Sequence, residues 1–217
     1  MELYIVRHGQ SQSNAGLEIP DPALSETGWA QARLAGEALQ TVRFDKVYTS
    51  HLTRAVQTAA AILTAQRSAA ALEVLPELAE CGSESHIAEE AALRALYPRM
   101  EIHGLASRPF PDDAARAAWC LETCVYDNAY TGELPVTGQT GEGEQREKPM
   151  NVLIVCHGTF TAHLIGQLIH FPFDKNVVIS QYNACVDRFQ LYTVGGVRRV
   201  RFRCFNSTAH LPEDLLT

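Results

Sequence analysis

The stretch LYIVRHGQS at residues 3–11 begins as a short apolar run and ends abruptly in a His-Gly pair. A second stretch of the same kind, VLIVCHGT at residues 152–159, ends in the same pair. A continuous apolar run of this length is typical of a parallel strand buried on both faces. In open α/β sheets, ligands bind beyond the carboxyl ends of such strands. His8 and His157 therefore predict one site at that edge, and Arg7 adds a positive charge suited to a phosphoryl group.

Strand and helix patterns alternate along the rest of the chain. Strands are predicted at 46–49, 72–75 and 152–156, and helices at about 23–40, 50–66, 86–97, 112–124 and 160–170. The C-terminal part predicts a hairpin, with strands at about 185–193 and 197–204 and a Gly-Gly turn between them. This alternation predicts an α/β fold with a mainly parallel central sheet and helices on both of its faces.

Composition sets the size and class of the protein. With 217 residues, of which 46% are hydrophobic, the chain can bury one substantial core, so we expect a single domain over residues 1–217. No stretch approaches the roughly 20 apolar residues that span a bilayer. Arg7 also interrupts the only early apolar run that could serve a signal peptide. We therefore expect no membrane partner and a cytoplasmic location.

Charge and cysteine content narrow the partners further. The formal net charge of −7 argues against nucleic acid as the main partner, because that binding depends on basic patches that neutralise phosphates. The six cysteines form no CxxC pair. Cys120 and Cys124 lie one helical turn apart but have no second pair to complete a metal site. We expect six reduced thiols, no metal ion and no other cofactor.

Four sequence motifs occur in the order found in one enzyme family. RHGQSQSN at residues 7–14 resembles the RHGxSxxN signature of the histidine phosphatase superfamily, also called phosphoglycerate mutase-like. LSETGWAQA at residues 24–32 is similar to that family's LTxxGxxQA helix, and SHLTRAVQTA at residues 50–59 to its SxLxRAxQTA segment. VCHG at residues 155–158 is similar to its second His-Gly pair. One His-Gly pair alone would be a weak signal, but four ordered motifs are a strong one.

The resemblance implies a covalent phosphohistidine intermediate on His8, and the chemistry of the residues permits it. Neutral imidazole is a good nucleophile near neutral pH, and the glycine that follows His8 allows close backbone approach. Arg7 and Arg54 offer planar, permanently charged donors for the phosphoryl oxygens. His157 adds a further positive donor if it is protonated beside a phosphate dianion.

Two neutral donors complete the predicted phosphate site. They are the side-chain amide of Asn14 and the backbone N–H of Thr159 at a helix start. His51 and His86 match no motif, although the family places substrate-facing residues in the segment that holds His86. We expect His51 to be an ordinary histidine.

A leaving alkoxide needs a proton, so a carboxylic acid should lie at the rim of the site. The family takes this acid from a glutamate after the strand that follows the arginine helix. The corresponding region of this chain holds Glu77, Glu80 and Glu84. We favour Glu80, because LAECG at residues 78–82 fits a Leu-x-Glu-x-Gly variant of the motif. The other two glutamates stay as competitors.

The resemblance also implies a small variable helical insertion over the C-terminal ends of the strands. In this chain it corresponds to about residues 81–130, and substrate specificity should come from it. Residues 131–149 are rich in Gly, Thr and Glu with almost no large apolar side chains, which predicts a mobile loop.

The leading interpretation is a cofactor-free phosphomonoesterase that hydrolyses a small phosphorylated metabolite. One alternative is a cofactor-dependent phosphoglycerate mutase, but the short stretch between residues 14 and 24 lacks the Trp-containing insert that resembles true mutases. Another is a catalytically silent binding module on the same fold. Such a module is expected to have lost the nucleophilic histidine or an arginine of the phosphate site. This chain has His8, Arg7, Arg54 and His157. The expected partner is the small phosphorylated substrate. The sequence leaves open whether the chain also forms a homodimer.

Overall fold

The computed structural model describes residues 1–13, 16, 20–68, 70–83, 86, 89–127, 150–171 and 178–217. Asn14, Glu84 and the predicted loop at 131–149 lie outside the described residues. The strands of the described chain are β1 (Glu2–Arg7), β2 (Lys46–Thr49), β3 (Leu72–Val74), β4 (Met100–Ile102), β5 (Asn151–Cys156), β6 (Val186–Val194) and β7 (Val197–Ser207). Its helices are α1 (Glu26–Ala38), α2 (Thr53–Ala65), α3 (Glu90–Leu96), α4 (Asp113–Leu121) and α5 (Gly158–Leu168).

The seven strands of the described residues form one sheet in the order β4-β3-β2-β5-β1-β6-β7. The first five strands in this order are parallel, and β6 and β7 are antiparallel to their neighbours. Strand β1 lies directly beside β5, with Arg7 level with Cys156. The predicted α/β fold with a mainly parallel sheet is therefore confirmed.

Both faces of the sheet are covered, as the continuous apolar runs of β1 and β5 predict. Tyr4, Val6, Leu153 and Val155 belong to one core, in which α1 and α2 pack on the sheet. The alternate residues of the same two strands belong to a second core with α4 and α5. A strand buried on both faces cannot show the polar alternation of a half-buried strand, which is why the apolar run is unbroken.

The described part of the segment at about 81–130 contributes to the sheet and to the second core, and it holds the predicted helices. Strand β4, which the sequence did not predict, pairs in parallel with β3 and extends the sheet. Helix α4 contributes Ala117, Cys120 and Leu121 to the second core and continues as a π-helix over Glu122–Tyr126. Strand β4 was missed because its three residues carry little periodicity and no proline ends the run, whereas the equally short β3 continues into Leu75 and is stopped by Pro76.

The predicted elements otherwise agree with the structure to within a few residues. The C-terminal hairpin is present, with Gly195 and Gly196 at the turn with φ of 56° and 74°. Helix α5 begins at Gly158, two residues earlier than predicted, so it starts directly after His157. No described helix has the length and apolar character needed to cross a membrane.

Candidate active site

Three histidines follow three neighbouring parallel strands at the same edge of the sheet. His8 follows β1, His157 follows β5, and His51 comes two residues after β2. The register keeps these strand ends level, because the N–H of His8 donates to the Cys156 carbonyl at 3.0 Å. The ring centres of His8 and His157 are 5.0 Å apart, and all three imidazoles are buried.

The hydrogen bonds of His8 define which nitrogen carries its proton. Nδ1 lies 2.7 Å from the carbonyl oxygen of Gly9, which can only accept, so Nδ1 is the protonated nitrogen. Nε2 accepts from the Nε–H of Arg54 at 3.2 Å. Burial, followed by the charges of Arg54 and Arg7, holds the pKa of His8 well below its ordinary value. His8 is therefore a neutral imidazole with its lone pair on Nε2.

The loop after β1 and the first turns of α2 hold each other in place. The Thr58 hydroxyl accepts from the N–H of Gly9 at 3.1 Å and donates to the carbonyl of Arg54 at 2.8 Å. Helix α1 also approaches this loop closely, since a Cβ on Gly28 would lie 2.0 Å from the carbonyl oxygen of Gln10. The glycine of the LSETG motif is thus required by packing against the catalytic loop.

Arg7 directly precedes His8 and, like Arg54, acts electrostatically on its ring. Its guanidinium donates to the carbonyl of Gln181. Its Nε is buried and has no hydrogen-bond partner among the described residues. A Cβ on Gly158 would lie 3.3 Å from that Nε, so the glycine after His157 leaves room for the arginine. Arg7 thus retains a donor that a phosphoryl oxygen could satisfy.

His157 is fully buried, and neither of its ring nitrogens has a partner among the described residues. Burial, followed by the charge of Arg54, holds its pKa well below the ordinary value, and His8, His51 and Arg7 act in the same direction. It is therefore neutral in the unliganded protein. The predicted role as a positive donor requires a phosphate dianion to raise that pKa.

Glu80 lies at the start of α5, at the edge of the same site. Its carboxylate accepts from the N–H groups of Cys81 at 2.9 Å, Phe160 at 3.1 Å and Thr159 at 3.3 Å. The N–H of Thr159, predicted to contact phosphate, thus has a carboxylate partner in the unliganded protein. Glu80 also acts electrostatically on both Arg7 and Arg54, which brings it into the group around His8.

The competing glutamates differ in position. Glu77 is buried, and its Oε1 lies 3.5 Å from the Nε of Arg108. A carboxylate enclosed in this way is a poorer candidate for a rim acid than Glu80, which caps a helix at the site. Glu84, like the predicted phosphate ligand Asn14, lies outside the described residues.

Sequence reasoning missed two residues that support the site. Asp21 accepts from the N–H of Thr53 at 3.0 Å and lies 3.8 Å from the NH1 of Arg54. The Nε2 of His51 lies 2.6 Å from the carbonyl oxygen of His86, and its Nδ1 is buried without a partner among the described residues. Asp21 lies 32 residues before the residue that it caps, and His51 lies 35 residues before its partner His86. Contacts at such separations have no recognisable spacing in the sequence.

Among the described residues, two groups of side chains outside this site have nitrogen, sulfur or oxygen atoms that could bind a metal within 4.8 Å of one another. One is Cys81, Asp113 and His163, and the other is Glu73, Glu101 and His103. In the first, the guanidinium of Arg116 already lies 2.6 Å from Asp113 and 3.7 Å from the Cys81 sulfur. In the second, the ammonium of Lys46 lies 2.8 Å from Glu73. A side-chain cation thus already contacts a carboxylate of each group, which weakens the case for a metal ion at either.

The sequence of this chain is similar to those of known proteins. The family model of the histidine phosphatase superfamily, branch 1, matches residues 3–111. Fructose-2,6-bisphosphatase TIGAR B of Danio rerio is 27% identical over 211 residues, which cover 77% of this chain and 74% of the fish protein. A 2,3-bisphosphoglycerate-dependent phosphoglycerate mutase of Methylobacterium sp. (strain 4-46) is 48% identical over 66 residues, but these cover only 28% of this chain and 32% of the mutase.

A solved structure shows the same fold. It is a mycobacterial glucosyl-3-phosphoglycerate phosphatase in complex with VO3, with a TM-score of 0.64 and 24% identity. The alignment covers 95% of this chain and 99% of that one. Together with the matched motifs, these likenesses decide the family. The chain belongs to the histidine phosphatase superfamily, branch 1, and is a phosphoric monoester hydrolase.

Proposed function

We propose that this phosphomonoesterase acts through a phosphohistidine intermediate on Nε2 of His8. The observation that carries the proposal is the hydrogen-bond pattern of that ring. Nδ1–H is bound to the Gly9 carbonyl, and the Nε2 lone pair faces the Arg54 guanidinium, where an anionic phosphoryl group would bind. A neutral imidazole held in one tautomer is prepared for attack without prior loss of a proton.

In the first step, Nε2 of His8 attacks phosphorus and the bond from phosphorus to the leaving oxygen breaks. The equatorial oxygens would be held by Arg7, Arg54 and His157, which stabilise charge in the transition state. Protonated Glu80 gives its proton to the leaving alkoxide, which departs as an alcohol. In the second step, Glu80 takes a proton from water as the water oxygen attacks phosphorus, and inorganic phosphate leaves with the His8 lone pair restored.

The substrate is proposed to be a small phosphorylated metabolite. The zebrafish and mycobacterial proteins are named for the phosphates of small sugars or sugar acids, and both likenesses cover most of this chain. Two permanently charged arginines already supply the charge that a metal would bring, so we expect activity to survive chelators. The six cysteines are free thiols, which supports a reducing compartment such as the cytoplasm.

The mutase remains the second candidate, because the 66-residue match to the Methylobacterium enzyme is a specific observation in its favour. A mutase returns the phosphoryl group to a sugar acid, whereas a phosphatase gives it to water. Release of phosphate from monoesters should therefore exceed conversion of 3-phosphoglycerate to 2-phosphoglycerate. A mutase rate above the hydrolysis rate, dependent on a bisphosphate primer, would reverse the choice.

His8→Ala tests the mechanism. The variant should lose at least about 10³-fold in kcat, because covalent catalysis and its positioning disappear together. In the wild-type protein, rapid quenching during turnover of a labelled phosphate ester should trap an acid-labile, base-stable phosphoenzyme on His8. The matched control is His103→Ala, which removes an exposed histidine and should keep wild-type turnover. A label trapped on another residue would refute the proposal.

A further inference from the structure

Arg116 of α4 is a buried cation for which the proposed chemistry has no direct use. Its side chain is 2% exposed, and its guanidinium lies 4.0 Å above the ring centre of Phe160 in α5. Among its described contacts, the Asp113 carboxylate accepts from its NH2 at 2.6 Å and from its Nε at 3.2 Å. Burying an arginine costs several kcal/mol unless its donors are satisfied, so the remaining contacts indicate its purpose.

The remaining donors of Arg116 bind the backbone on which Glu80 is carried. NH1 donates to the carbonyl of Glu77 at 3.1 Å and to the carbonyl of Ala79 at 2.8 Å. NH2 also approaches the sulfur of Cys81 at 3.7 Å. The guanidinium thus contacts residues on both sides of Glu80 without contacting its carboxylate.

Phe160 links the same cation to the carboxylate itself. Its ring packs under the guanidinium, and its N–H donates to Glu80 at 3.1 Å. Arg116 therefore fixes the position of Glu80 by two routes: through the backbone of residues 77–81 and through the start of α5. Charge-assisted hydrogen bonds from a planar fork are well suited to hold two carbonyls at once.

From these contacts we infer that Arg116 is the positioning residue of the general acid, an inference that rests on the proposed role of Glu80. The residue lies in the segment at about 81–130, from which substrate specificity is expected. Through Arg116 this segment also sets the geometry of proton transfer. A displacement of about 1 Å at a catalytic group can cost roughly 10²-fold in rate, so loss of this fork should be visible in catalysis.

The test compares two substrates whose leaving groups differ in their need for an acid. An alkyl phosphate needs a proton on its leaving oxygen, whereas the nitrophenolate of p-nitrophenyl phosphate delocalises its charge. Arg116→Met should lower kcat/KM for the alkyl ester about tenfold more than for the nitrophenyl ester. Arg116→Lys, which keeps the charge but loses the fork, should give a smaller selective loss. The ratio of the two substrates cancels any loss of folded protein.

The double variant and a surface control separate positioning from a structural role. In a Glu80→Gln background, Arg116→Lys and Arg116→Met should leave the substrate ratio unchanged, because the acid is already absent. Arg33→Met, on the exposed face of α1, should leave the wild-type ratio unchanged. The pH dependence of the rate should give the same result. The alkaline limb of the alkyl-ester profile, which reports loss of the proton of the general acid, should be flattened in Arg116→Met.

Equal losses on both substrates in the Arg116 variants would overturn the inference, as would a selective loss that persists in the Glu80→Gln background. If Glu80→Gln alone is selective while the Arg116 variants are not, only the positioning role fails. If Glu80→Gln shows no selective loss, the acid of the proposed mechanism is wrong and the role of Arg116 fails with it. Each result therefore identifies which of the two statements is false.

Discussion

His8 and Glu80 illustrate how single residues acquire their tasks from their hydrogen-bond partners. A histidine can attack phosphorus with either nitrogen, and here the Gly9 carbonyl removes Nδ1 from the choice. A glutamate can act as acid, base or helix cap, and Glu80 already caps α5 in the unliganded protein. The cap holds the carboxylate against the start of α5, the helix that directly follows His157.

Glu80→Gln tests the acid at the residue scale. Glutamine keeps the size and one acceptor oxygen but cannot supply the proton, so hydrolysis of an alkyl phosphate should slow by roughly 10²-fold. Hydrolysis of p-nitrophenyl phosphate should slow much less, because its leaving group needs little protonation. Steady-state kcat/KM values for both esters measure the difference.

Glu77→Gln is the matched control for that experiment. Glu77 is buried beside Arg108 and accepts from its N–H at 3.4 Å, so its loss should affect stability more than leaving-group selectivity. If Glu77→Gln or Glu84→Gln shows the selective loss and Glu80→Gln does not, the acid is one of those two residues.

At the scale of elements, α2 is the part of the fold that presents Arg54. The helix begins at Thr53, and Asp21 caps it through the N–H and hydroxyl of that residue. Arg54 is in the first turn of α2, so the carboxylate that caps the start of the helix also lies 3.8 Å from the NH1 of Arg54. Helix start and phosphate site are therefore coupled through one side chain.

Asp21→Ala should reduce both stability and activity. Loss of an aspartate cap costs about 1 kcal/mol in the free energy of unfolding. Because Arg54 loses its carboxylate neighbour in the same change, kcat/KM for p-nitrophenyl phosphate should also fall. Urea unfolding and steady-state kinetics with that ester measure the two effects.

Asp112→Ala provides the comparison, because Asp112 is the N-cap residue of α4 and accepts from the N–H of Ala115 at 2.7 Å. It should lose similar stability and retain kcat/KM for the nitrophenyl ester, which does not depend on the acid. Unchanged kcat/KM in Asp21→Ala would limit Asp21 to a capping role.

Elements with strong periodicity were predictable from the sequence, and so were the side chains at their ends. The runs of β1 and β5 specify burial on both faces, and adjacent parallel strands must bring His8 and His157 to one edge. The contacts that hold the site residues in position were not predictable from the sequence. The contact of Arg116 with Ala79 spans 37 residues, and no local pattern encodes where α4 packs on α5. Tertiary packing alone brings such pairs together.

At the scale of the whole molecule, an acidic protein concentrates positive charge at one edge of its sheet. The formal net charge is −7, yet Arg7 and Arg54 flank His8 within a buried site. Placing two guanidinium groups beside three buried imidazoles would be costly if the imidazoles were charged. Burial and the arginines lower the pKa of His8 and His157, and burial lowers that of His51, so all three stay neutral.

These lowered pKa values predict that the protein loses stability in mild acid. The unfolded chain takes up protons on these three histidines as the pH falls below about 6.5, while the folded protein resists them. Stability is therefore fully present above that pH and declines below it, by at most about 1.4 kcal/mol per pH unit for each histidine. Burial raises the pKa of Asp187 to about 6, which offsets part of the loss. We expect a net decrease in the free energy of unfolding between pH 7.5 and 5.5, measured by urea unfolding.

His51→Asn tests whether the buried histidines, and not other groups, cause the loss of stability in acid. Removing one of the three buried imidazoles should make the decrease between pH 7.5 and 5.5 smaller, whatever the variant does to stability at pH 7.5. His103→Asn, at an exposed position, should leave the decrease as it is. Inorganic phosphate should also protect more at pH 6 than a neutral ligand would, because a dianion beside His157 lets that ring accept its proton within the folded state. An identical pH dependence in wild type and His51→Asn would show that folding leaves the pKa of His51 unchanged, contrary to its buried position.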